Sequence, residues 1–417
     1  MTRHRVAVTG LGAVSPAGVS GEEFFARMLA GESFVRLHTI EEQPKAVTQP
    51  VVRCDGFDPD ALLGRPISSA TDRSVQMALA ACFEAWKCAG FERSERVVRP
   101  EFGVAWGSAL GSHTTIERGY KEMWQNGRER LPPMSVVIGM SNAAASQISI
   151  QLGLANASLT YVAACASAAS AIGEAYKRVR NGEAKLMVAG GGDVPLSYAT
   201  MKAWEALRVV ALPDETGAAG CCRPFHPGRS GLVLGEGAAT LILEEWEHAQ
   251  ARGATILGEL IGYGTCSDAS HLVRPDPIGQ VRAMRMALDD AGLGPDDVDY
   301  VNAHGTATIE GDAIEVASLC ELFGARAAQV PVSATKSMHG HLMGAAGAIE
   351  AIATVLALRH DALPPTLNLD TVDPACAGVR HIVGGPLRDS GARVALSNSF
   401  AFGGSNAVLA FRKADAA

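Results

Sequence analysis

The feature that most constrains this chain is a weak repetition of its own order. The first half opens with a strand, Val6 to Gly12, that ends in glycine. Helices are predicted over Gly21 to Ala30 and Asp72 to Gly90. The second carries Val75, Met77, Ala78, Ala81 and Ala85 at helical spacing. A strand from Phe102 to Trp106 comes next, then a loop-rich stretch and a strand-to-helix corner at Cys165. The strands Lys185 to Gly192 and Ala238 to Leu243 complete the half. The second half repeats the sequence of elements. Ile256 to Tyr263 reads as a strand, and Gln280 to Gly292 as a helix whose pattern echoes Val75 to Gly90. Val298 to Ala303 is a strand, Val332 to Ser337 takes the place of the Cys165 corner, and Gly344 to Arg359 is the helix behind it. Arg393 to Ser397 and Asn406 to Phe411 are the closing strands. A unit used twice predicts an α/β fold of two sheets stacked about a pseudo-twofold axis. The division falls near Ala251–Gly253, giving halves 1–252 and 253–417, with the functional strand ends of both converging on one cleft.

Composition agrees with a large buried body. Of the 417 residues 47% are apolar and only 19% charged, and 45 glycines allow close helix packing. The formal charge of −8 leaves no general basic surface for nucleic acid. Nine cysteines are scattered without a C-x-x-C, a reduced pattern with no zinc signature. No apolar run is long enough to span a bilayer, and the opening residues lack a signal-peptide core, so a cytoplasmic protein is expected.

At Val162-Ala163-Ala164-Cys165-Ala166-Ser167 an apolar run turns through small residues into a helix expected to stop near Gly182. A thiol at a helix start gains stabilisation of its thiolate from unpaired N–H groups. A buried structural cysteine is the plain alternative. Downstream lie His304 before a glycine, then Lys336-Ser337-Met338-His339-Gly340-His341, then Asn398-Ser399-Phe400-Ala401-Phe402-Gly403-Gly404-Ser405-Asn406. Two of these have an ordinary reading when taken alone: His304 as a turn residue, and the glycine pair after Phe402 as an ordinary turn. The pair His339/His341 has the spacing of a metal chelate but no third ligand at a recognisable spacing, so no metal is expected.

Taken together, Cys165, His304-Gly-Thr-x-Thr308, Lys336-Ser-x-x-Gly-His341 and Asn398-Ser-Phe-x-Phe-Gly-Gly-x-Asn406 resemble the β-ketoacyl-acyl-carrier-protein synthases of the II type, on the thiolase fold, which implies two pseudo-duplicated halves layered α-β-α-β-α. The resemblance runs from Val8-Thr9-Gly10-Leu11-Gly12 to the last strand. It implies a catalytic set of Cys165, His304 and His341 with Lys336 in support, and no cofactor. Asp312 and Glu315 match a charged cluster that holds the site in place, although a solvated helix face is an alternative for Glu315. Thr306 and Thr308 match threonines that bind the pantetheine arm. Phe400 matches a gate whose backbone N–H forms an oxyanion hole with that of Cys165, with Phe402 beside it. Leu110 matches a tunnel-lining position near a dimer contact, and the size of side chains around Leu110 and Ala203–Val210 is expected to limit acyl length.

The implied partner is an acyl carrier protein, docked by a basic rim for which Arg65, Arg73, Arg128 and Arg208 are candidates. A homodimer, or a heterodimer with a chain-length-factor-like subunit, is implied as well. Arg223-Pro224-Phe225-His226-Pro227-Gly228-Arg229-Ser230-Gly231 departs from the usual motif. So do Ala206 to Ala211, and His339 stands where threonine is common. These departures resemble ketosynthases of specialised polyene, pigment or nodulation-type chains. A thiolase acting on coenzyme A would need a second cysteine where Ser399-Phe400-Ala401 stands. A non-catalytic chain-length factor would lack Cys165.

Overall fold

The computed structural model describes residues 3–42, 44–93, 97–213, 215 and 217–414. Ten strands form its framework. β1 is Val6–Val14, β2 Phe102–Gly107, β3 Ser158–Tyr161, β4 Leu186–Asp193 and β5 Gly237–Glu245. β6 is Gly258–Ser267, β7 Tyr300–Asn302, β8 Pro331–Ser333, β9 Val394–Ala401 and β10 Ser405–Arg412. In space the first five run β3-β2-β4-β5-β1 and the second five β8-β7-β9-β10-β6, the same order in each half. In both halves the third, second and fourth strands are parallel, while the fifth and first are antiparallel. The repetition in the sequence is therefore a repetition of topology.

One expectation needs correcting. The halves do not form two separate sheets, because β1 pairs with β6 through Val6↔Leu260, Ala7↔Glu259 and Val8↔Gly258. That short antiparallel ladder satisfies backbone groups that burial would otherwise orphan. It joins the halves into one eleven-stranded sheet, with the two-residue strand Arg380–His381 at its far edge.

The layers follow from which helix faces are apolar. Helices α1 (Arg73–Cys88) and α2 (Ala143–Leu152) cover the outer face of the first half. Helix α3 (Ser167–Arg180) packs on β2 and β4 and also on β6 and β10. Helices α4 (Pro277–Ala291) and α5 (Ile309–Phe323) cover the outer face of the second half. Helix α6 (Ala346–His360) packs on β9 and on β4 and β5. So α3 and α6 form the central layer, and each touches strands of both halves. Every residue of α6 from Ala346 to Leu358 is buried, the charged Glu350 included. Small residues permit the close approach: a Cβ on Gly173 would lie 2.3 Å from the Tyr263 ring, and one on Gly347 2.8 Å from Ala169.

Local signals account for the ends of the elements. Asp72 caps α1 by accepting from Ser74 N–H. Asp276 does the same for α4, with Pro277 in the first turn and Gly292 in the left-handed region at its end. The loop-rich stretch before Cys165 contains a helix that the sequence reading left out, His113–Trp124, none of whose residues is buried. Among the described residues no helix is long and apolar enough to cross a membrane.

Gly107, the last residue of β2, lies against the start of α3. A Cβ there would sit 2.3 Å from Ala168 N and 2.4 Å from its Cα. Gly107→Ala is expected to lower unfolding free energy by about 3 kcal/mol in a denaturant titration. An unchanged midpoint would contradict this account of how strand and helix meet.

Candidate active site

β3 ends at Tyr161, and Ala164–Ala166 form a single 3₁₀ turn before α3 begins at Ser167. Ala164 has φ 47°, a left-handed conformation uncommon for a residue with a Cβ. Ser167 pins the turn by donating its hydroxyl to Ala164 O (2.7 Å) and accepting from Ala163 N–H (2.8 Å). Cys165 is held at the apex.

The second half carries the same device further along the chain than expected. Its turn is Met343–Ala345, with Met343 at φ 51° and α6 following. It is not Val332–Ser337, because the short helix Lys336–His339 intervenes after β8. Gly344 stands where Cys165 stands in the first half. A Cβ there would fall 2.3 Å from Asp193 Oδ2 and from Ala109 N. Only one of the two corners has room for a side chain.

Asp193 ties the second corner to the loop that follows β2. It ends β4, is fully buried, and accepts from Ser108 Oγ (2.7 Å), Ala109 N (2.8 Å), Leu110 N (3.1 Å) and Gly344 N (2.7 Å). The sequence reading missed it. The available signal was an acid placed directly after three glycines at the end of an apolar strand.

The second half delivers the bases. Beyond β7 the loop His304–Thr308 is contorted, with Gly305 at φ 37° and Ala307 at φ 64°. Two carboxylates of α5 hold it. Glu315 accepts from His304 N and Gly305 N, both at 2.8 Å, and from Asn398 Nδ2 at 3.2 Å. Asp312 accepts from Ala307 N (3.1 Å) and Phe225 N (2.8 Å). Glu315 is 2% exposed, which rules out a solvated helix face. Lys336, wholly buried, donates to His304 O (2.6 Å), to His304 Nδ1 (3.2 Å) and to Glu350.

These elements bring the predicted set together across the two halves. His341 Nε2 lies 3.0 Å from Cys165 Sγ. The His304 and His341 rings are 5.4 Å apart and nearly perpendicular. Phe400 packs its ring 6.3 Å from that of His304. His339 turns away, bonding Thr335 Oγ1 at 3.0 Å and packing against Phe24, so the H-x-H is no chelate.

Burial dominates the electrostatics. Both His304 and His341 are pushed well below the ordinary histidine range, first by desolvation and then by the Lys336 charge. The Cys165 thiol is pushed up to about 11 by burial, against the pull of Lys336 and of the Phe402 and Cys165 N–H groups. The expected helix-start stabilisation of the thiolate is outweighed. Beside the N–H of Cys165 itself, the peptide N–H that acts on the sulfur is that of Phe402 and not that of Phe400, so the oxyanion donor is read at Phe402.

A cavity of about 310 Å³ opens from this cluster, and Thr306, Thr308, Phe400 and Phe402 line it. The two threonine hydroxyls are 3.0 Å apart. Leu207, Arg208 and Val209 form part of the wall, within the predicted span. Leu110 does not line it; its backbone is tied to Asp193 instead. Of the four candidate arginines only Arg208 reaches the cavity. Arg73 is paired with Glu236 at 2.7 Å and Arg128 with Glu122 at 3.1 Å, while Arg65 begins a short helix away from the cavity.

Two sets of atoms have the chemistry of metal ligands. Donor atoms of Cys165, His304 and His341 lie within 4.8 Å of one another. However, Lys336 donates to His304 Nδ1, which leaves the proton of the neutral ring on Nε2, where a metal would need a lone pair. The other set is His4, Glu245 and Glu247, of which only Glu245 is buried.

Alkylation of Cys165 by iodoacetamide is expected to accelerate about tenfold per pH unit between about pH 7 and pH 9, without a plateau. A plateau below about pH 8 would mean that a thiolate already faces His341.

Comparison with known proteins agrees with this geometry. The family model "Beta-ketoacyl synthase, N-terminal domain" matches residues 3–249, and "Beta-ketoacyl synthase, C-terminal domain" matches residues 257–370. The chain is 39% identical over 415 residues to 3-oxoacyl-[acyl-carrier-protein] synthase 2 of Staphylococcus aureus (strain COL), covering 99% of each chain. It is 40% identical over 409 residues to Nodulation protein E of Rhizobium sp. (strain N33), covering 98% of this chain and 99% of that one. A solved structure, the ishigamide ketosynthase/chain length factor, superposes with a TM-score of 0.90 at 31% identity over 99% of this chain and 100% of the other. With a doubled α-β-α-β-α framework, a cysteine and two histidines meeting at its seam, and both domain models matched in order, this chain belongs to the beta-ketoacyl synthase family.

Proposed function

We propose that this enzyme forms a carbon–carbon bond by decarboxylative Claisen condensation, joining an acyl group held on Cys165 to a malonyl unit on acyl carrier protein. The observation that carries the reading is the approach of His341 Nε2 to Cys165 Sγ at 3.0 Å, with His304 set perpendicular beside it and both rings neutral.

The steps use groups already in place. His341 takes up the thiol proton as Cys165 attacks the acyl thioester, and the departing carrier thiol removes that proton. The oxyanion formed at the thioester carbon meets the N–H groups of Cys165 and Phe402, and each such donor contributes about 3 kcal/mol. When malonyl thioester enters, its carbonyl oxygen faces the two imidazoles. His304 presents its Nε2–H to the enolate that forms as carbon dioxide departs. His341 does so once its ring proton has moved from Nδ1 to Nε2, the nitrogen that accepted the thiol proton in the first step. An imidazolium would be the costlier species in this buried site. The enolate carbon attacks the acyl-cysteine, and collapse returns the sulfur. Lys336 donates to His304 Nδ1 and so fixes the tautomer that presents the Nε2 proton.

The cleft suits a long, flexible thioester arm. Thr306 and Thr308 offer hydroxyls along it, and Phe402, stacked at 6.1 Å on Trp204, lines the same cavity. Each acyl methylene buried beyond this point contributes about 0.8 kcal/mol, so a sharp length limit requires a wall rather than affinity. Acyl carrier protein is the natural partner, since its charge suits Arg208 at the rim. β3 leaves one edge of the sheet open, with Leu159 41% and Val162 63% exposed, and a second subunit is placed there, either the same chain or a chain-length-factor-like relative. The work is placed in the cytoplasm, in fatty-acid or specialised polyketide and polyene synthesis.

Cys165→Ala is expected to abolish acyl transfer while malonyl decarboxylation stays measurable by carbon dioxide release. Condensation at the parent rate by that variant would remove Cys165 from the nucleophile's role. His304→Ala is expected to slow decarboxylation by about 10²–10³ and Cys165 acylation by far less. Equal losses in the two half-reactions would count against the enolate role.

A further inference from the structure

The segment Arg223–Gly231, where this chain departs from the usual motif, has no role in the reaction described above. It passes beneath the His304–Thr308 loop and emerges as cavity wall at Ser230 and Gly231. Phe225 is fully buried at φ 68°, a strained conformation for a bulky residue. Its N–H donates to Asp312 Oδ2 (2.8 Å) and its carbonyl accepts from Asp373 N–H (2.8 Å). Its ring packs on His381 and under Gly305, where an added Cβ would lie 3.3 Å from Phe225 Cζ. The strain is held in place by contacts on every side of the residue.

Arg229 is the reason the segment follows this path. Its side chain is 1% exposed. Nε donates to Thr308 O (3.1 Å) and Nη2 to Ile309 O (2.7 Å). Nη1 donates to His226 O (3.0 Å) and to Asp373 Oδ2 (2.5 Å), and Asp312 lies 3.7 Å away. One planar fork therefore ties the carbonyls of the cleft's edge to two carboxylates behind it. Burying such a group gains little stability, since desolvation offsets the attraction, so geometry is what the arrangement secures.

We propose that Arg229 is a positioning residue for the thioester arm, setting the edge of the cleft at Thr308 and Ile309 while touching neither substrate nor nucleophile. This rests on the condensation reading for the identity of the arm, but not for the geometry. Lysine keeps the charge and cannot reach two carbonyls and a carboxylate in one plane. Asp373→Asn removes the outer anchor and leaves the arginine in place.

The test compares the full-length parent with Arg229→Lys and Asp373→Asn. It uses an acyl-pantetheine amide as a non-reacting probe of the arm, together with steady-state kinetics and iodoacetamide alkylation of Cys165. Both variants are expected to weaken probe binding and raise KM about ten- to a hundredfold, because small misplacements of a binding edge are costly. The same variants should keep kcat and the alkylation rate within about twofold. A folded Asp373→Asn variant with unchanged probe affinity and KM would overturn the proposal. So would kcat, alkylation rate and thermal midpoint all falling together, since that describes a general loss of structure. Probe binding needs no turnover, so a parent enzyme that binds the probe but forms no carbon–carbon bond would defeat the condensation reading and leave the Arg229 comparison standing.

Discussion

Lys336 puts a full positive charge in the interior, with no exposed surface, and the chemistry of the cleft is arranged around it. Its three partners are the Glu350 carboxylate, the His304 carbonyl and His304 Nδ1. An isolated buried ammonium would be prohibitively costly, and Glu350 offsets that cost at contact distance. What remains of its field acts on the neighbours. It adds to desolvation in keeping His304 and His341 unprotonated, and it opposes desolvation at Cys165. Desolvation is the larger effect on the sulfur, so the resting state is a thiol facing neutral imidazoles. The sulfur and the two imidazoles hold no ion pair of their own beside that of Lys336 and Glu350; on these three groups charge develops only when substrate arrives.

The doubled topology explains why the three functional side chains come from opposite halves. A strand that turns tightly into a central helix occurs once in each half, at Ala164–Ala166 and at Met343–Ala345. Both helices lie in the layer shared by the two halves, so both corners open toward the same seam. Cys165 fills one corner, and Gly344 leaves the other free to pack on Asp193 and Ala109. The histidines arrive on loops after β7 and β8 of the second half. The active site is thus a property of the interface between two copies of one fold unit, and neither copy carries it alone.

Much of this was legible in the sequence, and the failures share a cause. The duplicated order, the Cys165 corner and the pairing of His304 with His341 follow from local patterns and family motifs. Three readings required distances that a sequence does not hold. Phe400 lies in β9 and Phe402 just past its end, and only the coordinates show that it is the Phe402 N–H, with that of Cys165, that acts on the sulfur. Glu315 resembles any acid in the first turns of an apolar helix until the loop it clasps is seen. Arg73 resembles a surface arginine until Glu236, 163 residues away, is found beside it. Asp193 and Arg229 were missed for the same reason: their partners lie 85, 144 and 151 residues away in the chain. Hydrogen bonds of such long range leave no periodic trace.

The protonation of the two rings beside Lys336 is where this account is most exposed. ¹⁵N-edited NMR of histidine-labelled enzyme, with His304→Ala and His341→Ala for assignment, reads the charge and tautomer of each ring directly. Between about pH 5.5 and 8 both rings should remain neutral, with the His304 proton on Nε2. An imidazolium signal from either ring near neutral pH, or a His304 proton on Nδ1, would contradict the claim that a buried ammonium prepares two neutral donors for the enolate.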